Sequence, residues 1–386
     1  ALHGRHNSSL RILNNSFADS DLVVRHGSPT ANLIIRKNDF TGSGHLRMAT
    51  SKTNRPACTG CFTTQPCRGF CSEEDEEAPG KAFPSNPIQH HSSPIAITED
   101  GSLVIAVGAD FGGVLVMETT GNTTTHIETG KDPRGVAIDR SGRLALVTNL
   151  AAGTLSMIDL QEKNEIAEIP VGVEPYGVVF APKEKEAWVT LSGESALAIV
   201  NLETKQIQEK IPLPKKPRGI SLDRRNEQWQ ALITHFTPRH LPGKTPATLE
   251  SIEASLSISK KDSDGSWSVR ELILPPVSSK HFPEAVPSLM QSIVVRGNRA
   301  YLPSFGATPH RPEEAIFEGR ALLDFETSVQ ALLTVVDLDK EEVIESESAN
   351  LNTPGRILNG PYGIAFSPTS PSEVLIPVYG NNAVAR

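Results

Sequence analysis

The sequence predicts an all-β protein whose main part is a β-propeller with blades of about 42 residues. Three observations carry that reading. Gly135, Gly177 and Gly219 recur at steps of 42 residues, each in a Pro-x-Gly motif. The apolar runs around them are four to six residues long, rich in Val, Ile and Leu, and bounded by Gly, Asn, Asp or Pro. Such runs suit strands and are too short for typical helices. The 29 Gly and 29 Pro among 386 residues supply the many turns this needs. A solenoid of helix pairs has a similar period but needs amphipathic stretches of about ten residues, and residues 94–220 hold none.

In chain order, residues 1–50 stand apart from the blades. Ser9–Phe17 aligns with Asn32–Phe40 at a spacing of 23 residues, and each copy is a short β run ending in Asn-x-Phe. That pattern resembles the rungs of a right-handed parallel β-helix, in which Leu, Ile and Phe fill the interior and Asn turns the chain. About three rungs are needed for a stable coil, so two rungs imply more coil upstream or packing on the propeller. Many β-helices are polysaccharide lyases, but these rungs carry no acidic or basic cluster, which favours a structural role.

Residues 51–93 form a Cys-rich, acidic linker. Cys58, Cys61, Cys67 and Cys71 follow the pattern C-x2-C-x5-C-x3-C and are the chain's four cysteines. Packed so closely, they are either two disulfides or four thiolate ligands of one zinc or iron–sulfur centre. Phe62 follows Cys61, so the C-x-x-C-H motif for covalent haem attachment does not occur, and no cofactor is expected in this chain. Glu73–Glu77 reads as a solvated hinge.

Residues 94–386 hold six repeat units. They are marked by Ile95-Ala-Ile97, Pro133-Arg-Gly135, Pro175-Tyr-Gly177, Pro217-Arg-Gly219, Gln291-Ser-Ile293 and Pro361-Tyr-Gly363. Gly219 to Ile293 spans 74 residues and Ile293 to Ile364 spans 71, so each interval holds one blade plus an insertion. The insertions are expected near Pro238–Trp267 and Phe305–Glu326, the second with a short helix-compatible run. Loops of this kind commonly form a functional face. The last unit stops as its third strand begins, which implies a fragment of a ring that is seven-bladed when complete.

At these motifs the chain resembles a known family. Val147-Thr-Asn149, Met157-Ile-Asp-Leu160 and the repeated Pro-x-Gly are similar to the YVTN-repeat propellers of secreted bacterial and archaeal proteins. The stretches Leu289–Val295, Ala300–Pro303 and Val329–Leu338 are similar to YVTN propellers found beside c-type cytochrome domains. The resemblance covers residues 94–386. It implies a periplasmic or extracellular protein, favours disulfides over a metal at the four cysteines, and allows a cytochrome partner downstream. A propeller fold by itself does not specify an activity.

Composition narrows the function classes. The net charge of −8 argues against a general nucleic-acid binder, and no stretch approaches the roughly 18 apolar residues of a membrane span. Phosphate-loop, nucleophile-elbow and H-E-x-x-H motifs do not occur. His90-His91 reads as a solvated pair in the entry loop. His235, His240, His281 and His310 belong to the enlarged blades and form a metal site only if they converge.

The better-placed candidates occupy the x position of Pro-x-Gly. Arg134, Tyr176, Arg218 and Tyr362 are expected to ring one mouth of the central channel, where two Arg and two Tyr suit a small anionic ligand. The simpler alternative is that they only cover the glycine turn. The leading functional reading is a non-enzymatic interaction or surface scaffold, with a protein or small anion as its partner. The alternative is the propeller module of a cytochrome-associated redox protein. A lactonase-like hydrolase is disfavoured, because no acidic cluster recurs at the blade mouths.

Overall fold

The structure is a computed structural model. It describes residues 91–386 except Asn122, Asn226, 245–247, Ser263, 309–315, 318–319, 322–328, 354–356, 367–373, Asn382 and Arg386; of residues 1–90 it describes the backbone of seven strands. The chain divides into two compact units, Ala1–Lys81 and Ala82–Arg386.

In the first unit every described strand pairs in parallel. Leu22–His26 lies between Leu2–Gly4 and Leu46–Thr50, Leu10–Leu13 pairs with Leu33–Arg36, and Ser16–Ala18 pairs with Asp39–Thr41. Leu10 stands opposite Leu33, and Phe17 opposite Phe40. The 23-residue spacing of the sequence is therefore the register of this pairing. The four cysteines lie outside the described residues.

The second unit is all-β, with six antiparallel blades arranged as a propeller. The first blade runs Ile95–Ile97, Leu103–Gly108, Gly113–Glu118 and Thr124–Glu128 from the inner strand outward. The second is Pro133–Ile138, Leu144–Asn149, Thr154–Asp159 and Asn164–Pro170. The third is Pro175–Phe180, Glu186–Leu191, Ala196–Asn201 and Gln206–Pro212. The fourth is longer: Pro217–Arg225, Gln228–His235, Ile252–Lys261 and Trp267–Leu274. In the fifth, Val286–Ser288 and Val294–Arg296 share the inner position beside Arg299–Ala307, followed by Val329–Asp337. The sixth is a three-stranded sheet of Ala365–Phe366, Val374–Val378 and Ala383–Ala385.

Because side chains alternate across a strand, each inner blade buries both faces against its neighbours. Val136, Ile138 and Ala145 of the second blade pack on Ala96, Ile105 and Val114 of the first. The opposite face of the second blade, with Leu146 and Leu155, packs on Val178 and Val189 of the third. The outermost strands alternate toward solvent, as Asn164–Pro170 does. A segment ahead of the first blade crosses the channel: Ser92 N–H donates to Ile220 O at 2.8 Å, and Val136 N–H donates to Ser93 O at 2.8 Å. It joins the inner strands of the second and fourth blades one residue beyond Gly135 and Gly219.

Two expectations need correction. Ile252–Lys261, placed inside the first insertion, is the third strand of the fourth blade. Its Ala-Ser-Leu-Ser-Ile-Ser alternation puts small hydroxyl residues and apolar residues on opposite buried faces. The extra length lies instead in residues 236–251 and in the connection 275–285. In the second insertion the described residues pair as two short strands, Ile316–Phe317 with Arg320–Ala321, where a helix-compatible run was expected.

The fourth blade also buries a titratable group. His235 is buried, with Nδ1 3.2 Å from Lys215 O and Nε2 2.8 Å from Ser257 Oγ. Burial pushes its pKa below the ordinary histidine value, and the Lys215 carbonyl only partly opposes this. Its stability contribution is therefore complete above about pH 6.5 and is lost as the pH falls below that value. His235→Gln is expected to flatten the loss of stability as the pH falls below about 6.5, read from urea midpoints. An unchanged slope would assign that loss to other groups.

Candidate functional site

The mouth of the channel is built by one local device repeated around the ring. Two residues before each x position the backbone is left-handed: Asp132 (φ 57°), Glu174 (52°), Lys216 (54°), Leu289 (50°) and Gly360 (82°). In four of these blades the left-handed residue's carbonyl accepts the N–H just past the second strand. The donors are Leu150, Ser192, Phe236 and Tyr379, at 2.8, 2.8, 2.8 and 2.9 Å. This clamp ties the start of the inner strand to the end of the second, and so fixes where the x side chain leaves the backbone. Non-glycine residues held in this region cost strain, which the clamp bond offsets.

A second device links neighbouring blades. Thr148 Oγ1 accepts from Gly135 N (3.0 Å) and donates to Tyr176 O (2.6 Å). Thr190 Oγ1 accepts from Gly177 N (2.8 Å) and donates to Arg218 O (2.7 Å). Thr234 Oγ1 accepts from Gly219 N (2.9 Å) and lies 3.3 Å from Met290 O. Each of these glycines sits against the next blade. A Cβ on Gly135 would lie 2.6 Å from Tyr176 O, on Gly177 2.3 Å from Arg218 O, and on Gly219 2.8 Å from Gln291 O. Gly363 differs, since a Cβ there would meet only Pro377, at 3.6 Å. Pro303 and Pro377 take the threonine position in the fifth and sixth blades, where the stitch is accordingly missing.

The structure brings Tyr176, Arg218 and Tyr362 into contact, with Arg134 near enough for its charge to act on them, and adds two residues that the sequence analysis does not select. Tyr176 Oη and Tyr362 Oη are 3.1 Å apart, across blades three positions apart in the ring. Tyr176 Oη also donates to Gln291 Oε1 at 2.5 Å, and Arg218 Nη1 donates to the same oxygen at 3.0 Å. The Arg218 guanidinium carbon lies 4.5 Å from the Tyr176 ring centroid and 3.4 Å from that of Phe236, so two aromatic rings flank it. Gln291 stands at the x position of the fifth blade. Aligning Gln291-Ser-Ile with Arg134-Gly-Val finds it, whereas no local signal marks Phe236.

Charge at the mouth is unevenly compensated. Arg134 pairs with Asp132, Nη2 lying 2.8 and 3.0 Å from its two oxygens. Arg218 has no carboxylate partner among the described residues, and Nε of both arginines is buried without a hydrogen bond. Burial works against the charge of Arg134, but the Asp132 carboxylate outweighs it and raises the pKa. Burial lowers the Arg218 pKa, the nearby tyrosines opposing and Arg134 adding to the shift. Tyr176 is held well above the usual tyrosine range, first by burial and then by its contact with Tyr362.

Two strands that lead into the enlarged connections end at this face: Gln228–His235, whose His235 stands opposite Pro217, and Arg299–Ala307, whose Ala307 stands opposite Val286. Among the described residues the histidines do not converge there: His235 is buried in its own hydrogen bonds, and His240 and His281 are exposed; His310 lies outside the described residues. Among the described residues no three metal-ligating side chains group together. A cleft of about 270 Å³ lies at the turns leading into and out of the blades' outer hairpins, lined in part by Arg225, Lys260, Arg270, Asp339 and Glu341. Its arginines are already engaged, Arg225 with Asp223 and Asp339, and Arg270 with Glu341. No helix among the described residues is long and apolar enough to cross a membrane.

No protein-family model matches the chain, and no curated protein matches it. Among solved structures it is similar to a hydrazine synthase from Kuenenia stuttgartiensis, with 18% identity and a TM-score of 0.59 over 83% of this chain and 79% of that one. A functionally unknown protein from Desulfotomaculum acetoxidans has 12% identity and a TM-score of 0.47, over 74% and 79% of the two chains. A candidate 6-phosphogluconolactonase from Bacteroides uniformis has 14% identity and a TM-score of 0.47, over 75% and 78%. Only the first of these likenesses bears on the architecture, and what it shows is the propeller fold.

Proposed function

We propose that this chain is a non-enzymatic propeller of the YVTN-repeat kind, working in the periplasm or outside the cell as an interaction scaffold. The observation that carries this reading is an uncovered blade face. In the first blade Ile95, Ile97 and Met117 lie on one side of the sheet, at 52%, 40% and 42% exposure. Their equivalents in the second blade, Val136, Ile138 and Ile158, are at 0%, 7% and 0% because the first blade covers them. Val384 in the sixth blade is also open, at 56%. A contiguous apolar face of this kind marks a surface that takes a partner. The repeat sets its shape: the partner presents a β-sheet with alternating apolar side chains, as every neighbouring blade here does.

A photo-crosslinking residue at Met117, tested in the native cell, is expected to give one defined covalent adduct. The same residue at the exposed Glu203 of the third blade is expected to give none. Ile97→Lys should remove the adduct while leaving the melting temperature within about 2 °C, because the side chain is already largely in water. Equal labelling from both positions would sink the proposal.

The compartment is tested separately. Cys58, Cys61, Cys67 and Cys71 are proposed to pair as two disulfides, which sets the unreduced mass about 4 Da below the reduced one. Bound zinc or four free thiols would remove the support for an oxidising compartment.

A second reading, a platform for a c-type cytochrome domain, rests on the resemblance of the Leu289–Val295 and Val329–Leu338 stretches. The adduct from position 117 separates the two readings, since a cytochrome partner would carry covalent haem in that band.

A further inference from the structure

We propose that the channel mouth is a carboxylate-binding site in which Arg134, Arg218 and the Gln291 amide donate to one small monoanion. The argument is an account of hydrogens. An arginine only donates, so the Gln291 atom bonded to Arg218 Nη1 is the amide oxygen, and the amide orientation is thereby set. Tyr176 Oη lies against that same oxygen and must give it its single hydrogen. Tyr362, 3.1 Å from Tyr176, then directs its own hydrogen to the Tyr176 oxygen. Every proton in this chain runs toward Gln291 Oε1. The unused capacity of the cluster is therefore almost all donor: both hydrogens of Gln291 Nε2, the free N–H groups of Arg218, and those of Arg134 not held by Asp132.

A ligand that completes this set must accept and not donate. Buried N–H groups of the two arginines still without a partner point to the same need. Asp132 answers most of the Arg134 charge, whereas no carboxylate among the described residues answers that of Arg218. The uncompensated charge is thus close to one unit, which favours a monoanion over a phosphate dianion. Planar guanidinium groups match the two oxygens of a carboxylate. The half-buried Phe236 and Tyr362 stand beside these donors, Phe236 against the Arg218 guanidinium and Tyr362 against Tyr176, so the ligand's body would meet aromatic neighbours. The segment through Ser92 and Ser93 is bonded to the inner strands of the second and fourth blades just beyond, on the channel side of the site. None of this depends on which protein occupies the first-blade face.

Trifluoroacetate serves as the probe, its fluorine line width being read at constant ionic strength. The wild-type chain is expected to broaden the line, acetate to reverse the broadening, and chloride at the same concentration to leave it. The double variant Arg134→Ala/Arg218→Ala, shown to be folded by circular dichroism, should bind at least about tenfold more weakly. Gln291→Glu places a carboxylate against Arg218 from within; it should abolish the broadening and raise the melting temperature. Broadening by the folded double variant equal to wild type, equal competition by chloride, or normal probe binding by Gln291→Glu would each overturn the proposal.

Discussion

Gly177→Ala is expected to cost the propeller about 3 kcal/mol of stability, while the same change at Gly363 costs less than about 1 kcal/mol. Both glycines stand in a Pro-Tyr-Gly motif, so the motif itself does not separate them. At Gly177 the new Cβ would sit 2.3 Å from the Arg218 carbonyl oxygen, with Ile220 Cγ2 and Thr190 Oγ1 at 3.0 and 3.1 Å. The nearest atom is backbone of the next blade and cannot rotate away, so the two inner strands must separate. At Gly363 the nearest atom is Pro377 Cγ at 3.6 Å, an ordinary contact. Urea midpoints of the two variants decide the matter; equal losses would show that the close approach of the third and fourth blades does not limit stability.

Thr190→Val is expected to cost about 2–4 kcal/mol, although it keeps the size and branching of the side chain. The lost hydroxyl accepts from Gly177 N and donates to Arg218 O, at 2.8 and 2.7 Å. Valine leaves a donor and an acceptor buried and unpaired, each worth about 1–3 kcal/mol. Thr190→Ser, which keeps the hydroxyl, should recover most of the loss. The valine variant should also weaken trifluoroacetate binding, because the released carbonyl belongs to Arg218. A midpoint shift below about 0.5 kcal/mol would show that water replaces the hydroxyl and that the stitch is dispensable.

Several parts of this architecture are legible in the chain because they depend on neighbours along it. The short apolar runs within Leu144–Asn149 and Glu186–Leu191, the turn residues between runs and the 42-residue recurrence are local, and they specify strands grouped into blades. The fourth blade is less legible. Its third strand, Ile252–Lys261, alternates serine with apolar residues, and a serine-rich run between proline-rich segments looks like a loop until the neighbouring strands bury it. The role of Thr148, Thr190 and Thr234 was also hidden. Each sits in a strand where threonine is common, and only the carbonyl of the next blade gives its hydroxyl a second partner.

By itself the sequence determined the all-β class, the blade period and the equivalence of Arg134, Tyr176, Arg218 and Tyr362 at the x position, since all three follow from short-range patterning. What those residues do to one another was decided by the tertiary structure alone. Tyr176 and Tyr362 are 186 positions apart in the chain and meet because the inner strands of their blades face a common channel. Gln291 directs both Tyr176 and Arg218, and Phe236 flanks Arg218 from an enlarged loop. Hydrogen-bond direction, burial and unanswered charge are properties of that convergence. A periodic sequence sets which side chains arrive at the mouth, and the curvature of the ring sets the distances over which they act.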